Sequence, residues 1–209
     1  MKTLSLTVHL DNYIGHPYWP EMARLVDITK QSGMSRTRSA ANARKALEEH
    51  LKTQGMTLDD YERIKALAER PFYTLDGEGS AIIVPELHVT SMIVAVSDTI
   101  RAAGRPIPPD QVRAVLKATA WVTDKTAPDG VWERFAVVSS GTGAKLSNQR
   151  GFRSNPYIQD VTATGSIDIH PEMVRPEVLR AALEWGGQHI GIGASRKMGW
   201  GRFQVVQFQ

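Results

Sequence analysis

The chain has 209 residues, 42% hydrophobic and 22% charged, values near the average for globular proteins that exclude wholesale disorder, collagen-like sequence and coiled coil. It has no cysteine, which excludes a disulfide framework, a thiol nucleophile, an iron–sulfur centre and any Cys-based zinc site. The formal charge is +3 and the pI about 9.2, a mild basic excess that admits nucleic acid as a partner without requiring it. Length predicts one domain, or one domain carrying an insertion. No apolar leader follows Lys2, and the strongly apolar run Met92 to Val96 is far too short to cross a bilayer. A soluble, cytoplasmic protein with no membrane partner is expected.

Leu4, Leu6, Val8 and Leu10 alternate with Ser5, Thr7 and His9, which predicts a half-buried strand over 3–10. An irregular, aromatic- and proline-rich stretch follows (Tyr13, Pro17, Tyr18, Trp19, Pro20). Helical spacing runs from Thr37 to about Lys52, with Gly55 as a stop. Thr57-Leu58-Asp59-Asp60 then opens a second helix that Pro71 ends. Residues 30–75 therefore read as a helical hairpin inserted between 1–29 and 76–209.

Ala81 to Pro85 is extended. Val89, Met92, Ile93, Val96 and Ile100 recur at helical spacing and predict the main buried helix over 88–103. A shorter helix starts at Pro109. Strands over 118–123 and 131–138 are joined by the turn Ala127-Pro128-Asp129-Gly130. Residues 139–156 read as a polar, basic loop, and a strand is expected from Tyr157 to His170. Pro176 lies in the first turn of a helix that Gly186-Gly187 ends, and Phe203–Phe208 is the last strand. Without the insertion the order is strand, helix, strand, strand, helix, strand. This predicts an α+β fold with a ferredoxin-like, RNA-recognition-motif-like core.

Between the last helix and last strand, Gly191, Gly193, Gly199 and Gly201 surround Ser195, Arg196, Lys197, Trp200 and Arg202. Glycines permit positive φ and close backbone approach, and successive N–H groups can form an anion nest. The cations suit phosphate and Trp200 offers a stacking face. No Gly-Lys-Ser/Thr closes a Walker loop, and the offsets do not make a dinucleotide fingerprint. The alternative reading is a tight helix-to-strand connection. Gly-hydrophobic-Gly, five residues of basic character and a second Gly-hydrophobic-Gly before the last strand resembles the glycine-rich loop of the RAMP superfamily, CRISPR-associated RNA-binding proteins. Ile82-Ile83-Val84-Pro85 resembles the segment before the first core helix of type III-like backbone subunits. Here Glu86-Leu87-His88-Val89-Thr90-Ser91 stands where the family usually has Gly-Ser-Ser-Leu-Lys-Gly.

The resemblance implies a non-catalytic backbone subunit that holds single-stranded guide RNA through its sugar–phosphate chain, beside copies of itself and other effector subunits. It also implies that Lys145, Arg150 and Arg153, in a stretch free of acids from Gly141 to Gln159, lie on a projection that presses on RNA. Their alternative is a solvated loop. The rival within the superfamily is an endoribonuclease with His9 or His16 as base, and a third reading is an interaction module without nucleic acid. Asp11, Asp27 and Glu21 are the acids near the first strand, and none sits in a recognisable motif. Asp168 and His170 share a strand face. Arg36, Arg38, Arg44 and Lys45 are answered by Glu48 and Glu49 one turn on. The histidines show no metal spacing, so neither metal nor cofactor is expected.

Overall fold

The computed structural model describes residues 1–15, 19–34, 39–76, 79–102, 104–140 and 147–209. They form a mixed α+β protein with an antiparallel sheet and six α-helices among the described residues. The chain divides into two compact units, one of Met1–Gly15 with Thr74–Gln209 and one of His16–Tyr73. The first opens with β1 (Lys2–Tyr13), in which Leu4, Leu6, Val8 and Leu10 are buried and the intervening side chains are not.

The second unit is helical: α1 (Trp19–Gln31), α2 (Ala40–Thr53) and α3 (Leu58–Ala68). Helix α1 corrects the expectation of irregular chain here. Pro20 lies in its first turn, where no intrahelical N–H is required, so the residue that read as a breaker is compatible with a helix start. Ile28 from α1 joins Leu47, Leu51, Tyr61 and Ile64 in the core of this unit. As expected, Thr57 caps α3. Its hydroxyl accepts from the Asp60 N–H at 3.1 Å, and the Asp60 carboxylate accepts from the Thr57 N–H at 2.9 Å.

The Thr57 N–H, followed by the Thr57 hydroxyl, holds the Asp60 carboxyl below the usual aspartate range. A carboxyl depressed on folding stabilises the fold above its unfolded pKa of about 3.9, and that contribution is lost as pH falls through the lower folded value. Carbon-detected NMR titration should therefore place Asp60 below an unperturbed aspartate. Titration at or above the ordinary value would mean that the cap does not form in solution.

Strand β2 (Tyr73–Thr74) falls at the division in the chain, and the first unit continues with β3 (Ile82–Val84) and α4 (Glu86–Ala95). Helix α4 stops well before residue 103. Ser97–Thr99 tightens into a 3-10 turn, in which the Thr99 hydroxyl donates to the Val96 carbonyl at 2.7 Å. Local hydroxyl bonding of this kind competes with helix propagation. Next come the small hairpin of β4 (Arg101–Ala102) and β5 (Arg105–Pro106), then α5 (Pro109–Val115), β6 (Leu116–Ala118) and β7 (Trp121–Thr123). Strands β8 (Gly130–Ser140), β9 (Ser147–Ile169) and β10 (Phe203–Phe208) complete the sheet, with α6 (Pro176–His189) between the last two.

Strand order is β10-β1-β9-β7-β3-β2, with β6 continuing the β7 side of β9. Val89, Met92 and Ile93 of α4 and Leu179, Ala182 and Leu183 of α6 are fully buried. Gly186 and Gly187 do not end α6 but lie inside it. A Cβ at Gly186 would strike the Met92 sulfur, and one at Gly187 would strike the Phe203 carbonyl. They are required for close packing rather than for termination.

The expectation of a loop over 139–156 is corrected at 139–140 and 147–156, which are strand; residues 141–146 lie outside the described residues. Strand β9 pairs with β8 in unbroken register from Gly130↔Tyr157 to Ser140↔Ser147, forming a two-stranded ribbon. Pairing is made by the backbone, so a ribbon beyond the sheet can form without the apolar alternation that marks a half-buried strand. The same β9 then pairs with β1 from Ile158 to Ile169.

Candidate nucleic-acid interface

The glycine-rich connection is fixed by its own geometry. Gly191, Gly193, Gly199 and Gly201 have φ of 76°, 77°, 88° and 75°, and Ser195, at 57°, opens a 3-10 turn over Arg196–Met198. Gly201 cannot be replaced without displacement, because a Cβ there would fall on the Ile192 carbonyl oxygen. The Ile192 N–H donates to the Gly201 carbonyl at 2.9 Å and closes the loop. The end of β1 anchors it: Ala194 N–H donates to the Ile14 carbonyl at 2.9 Å, and Gly201 N–H meets the Asn12 carbonyl at 3.2 Å and its Oδ1 at 3.1 Å. Beside this anchor the buried Tyr13 hydroxyl is 2.9 Å from His88 Nδ1.

The N–H groups of Gly191, Ile192, Ala194, Met198, Gly199 and Gly201 thus all donate within the chain and are not offered to an anion. Arg196 is half-buried and Lys197 exposed. Among the described residues neither they nor Arg202 pairs with a carboxylate. Trp200 is engaged within the chain: its ring lies 5.1 Å from Trp132 and 5.4 Å from Tyr157 by centroids, tilted 42° and 54°. Arg134 stands over Trp132 with its guanidinium carbon 5.5 Å from the ring centroid, and its Nη1 lies 3.0 Å from the Met198 sulfur. The base of the ribbon and the glycine-rich loop therefore meet in one aromatic cluster.

Arg150 and Arg153 occupy β9 positions opposite Val137 and Arg134. Lys145, His16, Arg36 and Arg38 lie outside the described residues. Arg44 and Lys45 pair with Glu48 and Glu49 at 3.0 and 4.0 Å, as their spacing predicts. His9 Nε2 is 3.6 Å from Asp160, whereas Asp11 is exposed and Glu21 and Asp27 belong to α1 of the helical unit. Asp168 accepts from the Thr3 hydroxyl at 2.6 Å and His170 sits 3.2 Å from Glu172, so the two have separate partners. Among the described residues no three His, Asp or Glu side chains gather as a metal site, and no helix is long and apolar enough to cross a membrane.

Sequence reasoning missed Trp132, Arg134, Asn155 and Tyr157. Trp132 and Arg134 stand two apart on a predicted strand and so share a face, but only tertiary structure reveals that this face meets Trp200.

No protein-family model and no curated protein matches this chain. Among the solved structures that resemble it distantly are the following two. One is a chain of the type III-B Cmr-beta structure bound to cognate target RNA, 8% identical, covering 99% of this chain and 59% of that one at a TM-score of 0.46. The other is Cmr6 from Pyrococcus furiosus, 10% identical, covering 99% and 98% at a TM-score of 0.33. This chain thus spans about 59% of the length of the Cmr-beta chain it resembles.

Proposed function

We propose that this protein is an RNA-binding backbone subunit of a CRISPR-type ribonucleoprotein, holding guide RNA through its sugar–phosphate chain. In this reading the first unit is a ferredoxin-like core. Taking β1, β6/β7, β9 and β10 as strands one to four, the order four-one-three-two with α4 and α6 as crossover helices supports it. The helical unit is then an insertion after the first strand, and copies assemble head to tail in the cytoplasm along the guide. The observation that carries the proposal is the placement of Arg196 and Lys197, unpaired with acids among the described residues, on a rigid glycine loop at the base of a ribbon whose sequence is acid-free from Gly141 to Gln159.

Binding to unrelated single-stranded RNAs should be of similar strength and fall steeply with salt, because each phosphate contact contributes about 0.7 to the log–log slope. Arg196→Ala with Lys197→Ala should reduce that slope by about 1.4 if each cation meets one phosphate. The melting temperature should move little, since Lys197 is exposed and neither cation pairs with a carboxylate among the described residues. Fluorescence anisotropy at several salt concentrations measures both. Absence of binding at low salt removes the proposal, and RNA cleavage abolished by His9→Ala would replace it with an endoribonuclease.

A further inference from the structure

Among the described residues, three buried side-chain nitrogens without a hydrogen-bond partner belong to the ribbon base and the glycine-rich loop: Arg134 Nε, Asn155 Nδ2 and Arg202 Nη1. A buried donor left unmade costs roughly 1–3 kcal/mol, so such groups call for an acceptor that the chain itself does not supply. Register places Trp132 opposite Asn155 and Arg134 one pair further along the same face, with Gly130 and Tyr157 one pair before. Arg134 is held in place by Trp132 and the Met198 thioether, a weak acceptor on Nη1 that leaves the buried Nε without a partner. The nearby acid Glu133 faces the other side of the ribbon, where it accepts from the Ser154 hydroxyl at 3.1 Å.

We infer that the base of the ribbon is a second anion site, which takes one phosphate group on Arg134 Nε and Asn155 Nδ2 beside the aromatic cluster. The inference deepens the RNA-binding reading and rests on it for the source of the phosphate. A tetrahedral anion offers several oxygens and can accept from more than one donor at once. A nucleobase does not insert between Trp132 and Trp200, whose rings are already in contact. Arg202, two residues beyond Trp200, carries the third unmet donor and extends the positive potential along the loop.

The test uses the full chain, with inorganic phosphate and a twelve-nucleotide oligouridylate as separate probes. The readout is the Arg134 Nε–H resonance, alongside anisotropy. Either probe should shift the resonance. Asn155→Asp supplies an internal carboxylate to Arg134, so it should keep or raise the melting temperature while abolishing the phosphate-induced shift and weakening oligouridylate binding about tenfold. Arg134→Lys should retain part of the affinity, because charge survives while the planar donor pair is lost. A resonance unmoved by both probes would mean that water alone meets these donors and would overturn the inference. Equal RNA affinity in wild type and Asn155→Asp would overturn it while leaving the RNA-binding reading intact. A shift with phosphate in a protein that binds no oligouridylate would keep the anion site and remove the RNA reading.

Discussion

Gly201→Ala is expected to destabilise the protein by about 2–5 kcal/mol, whereas Gly199→Ala should cost only about 1 kcal/mol. Both glycines lie at positive φ, 75° and 88°, so the conformational penalty for an L side chain is similar. The difference is space. A methyl group at 201 lands on the carbonyl of Ile192, the residue whose N–H closes the loop, while nothing lies within 4 Å of one at 199. The first substitution must therefore push the loop away from Asn12 and Ile14 or forfeit its closure, and RNA affinity should fall with it. Urea unfolding of both variants beside RNA titrations decides the matter. Equal midpoints for the two would show that packing against Ile192 does not form in solution.

Trp121→Ala should cost about 3–5 kcal/mol, the range for deleting a large buried aromatic side chain. The indole is fully buried, meets Phe203 edge-on at 5.5 Å and 84°, and occupies the room that Gly165 leaves by having no side chain. A Cβ at 165 would strike Trp121 Cδ1, so Gly165→Ala alone should overpack the core at about 1–3 kcal/mol. The pair is coupled. In Trp121→Leu with Gly165→Ala the added methyl faces a smaller neighbour, so the double variant should be less destabilised than the sum of its singles, by roughly 0.5–3 kcal/mol. A double-mutant cycle on unfolding free energies measures this, and strict additivity would contradict the contact.

Where one local rule governed a segment, the sequence was readable. The alternation of Leu4 to Leu10 gave the first strand, and Thr57 with Asp60 gave the capped start of α3. What resisted reading was decided by contacts between distant segments. Gly186 and Gly187 look like a helix stop until Met92 and Phe203 are seen against them. Pro20 looks like a breaker until it is placed in a first turn. The ribbon arm of β9 pairs with β8 through its backbone, and that pairing requires no hydrophobic period. The candidate site divides in the same way. Its glycines and cations are contiguous in sequence, from Gly191 to Arg202, and could be named from it. Trp132, Arg134 and Asn155 join only through the strand register and the position of Trp200.

Strand β9 is 23 residues long, about 75 Å if fully extended, yet only its later part is committed to the sheet with β1. That division makes the ribbon adjustable in length. Inserting or deleting one residue in each arm beyond the Arg134–Arg153 pair lengthens or shortens the projection by a single rung, about 3.4 Å, and leaves every pairing nearer the sheet unaltered. A single unmatched insertion between Gly130 and Trp132 is different: it turns Trp132 and Arg134 to the opposite face and separates them from Trp200. Relatives of this chain should accordingly vary in reach by paired insertions toward the tip, while the spacing from Gly130 to Arg134 and from Arg153 to Tyr157 stays constant.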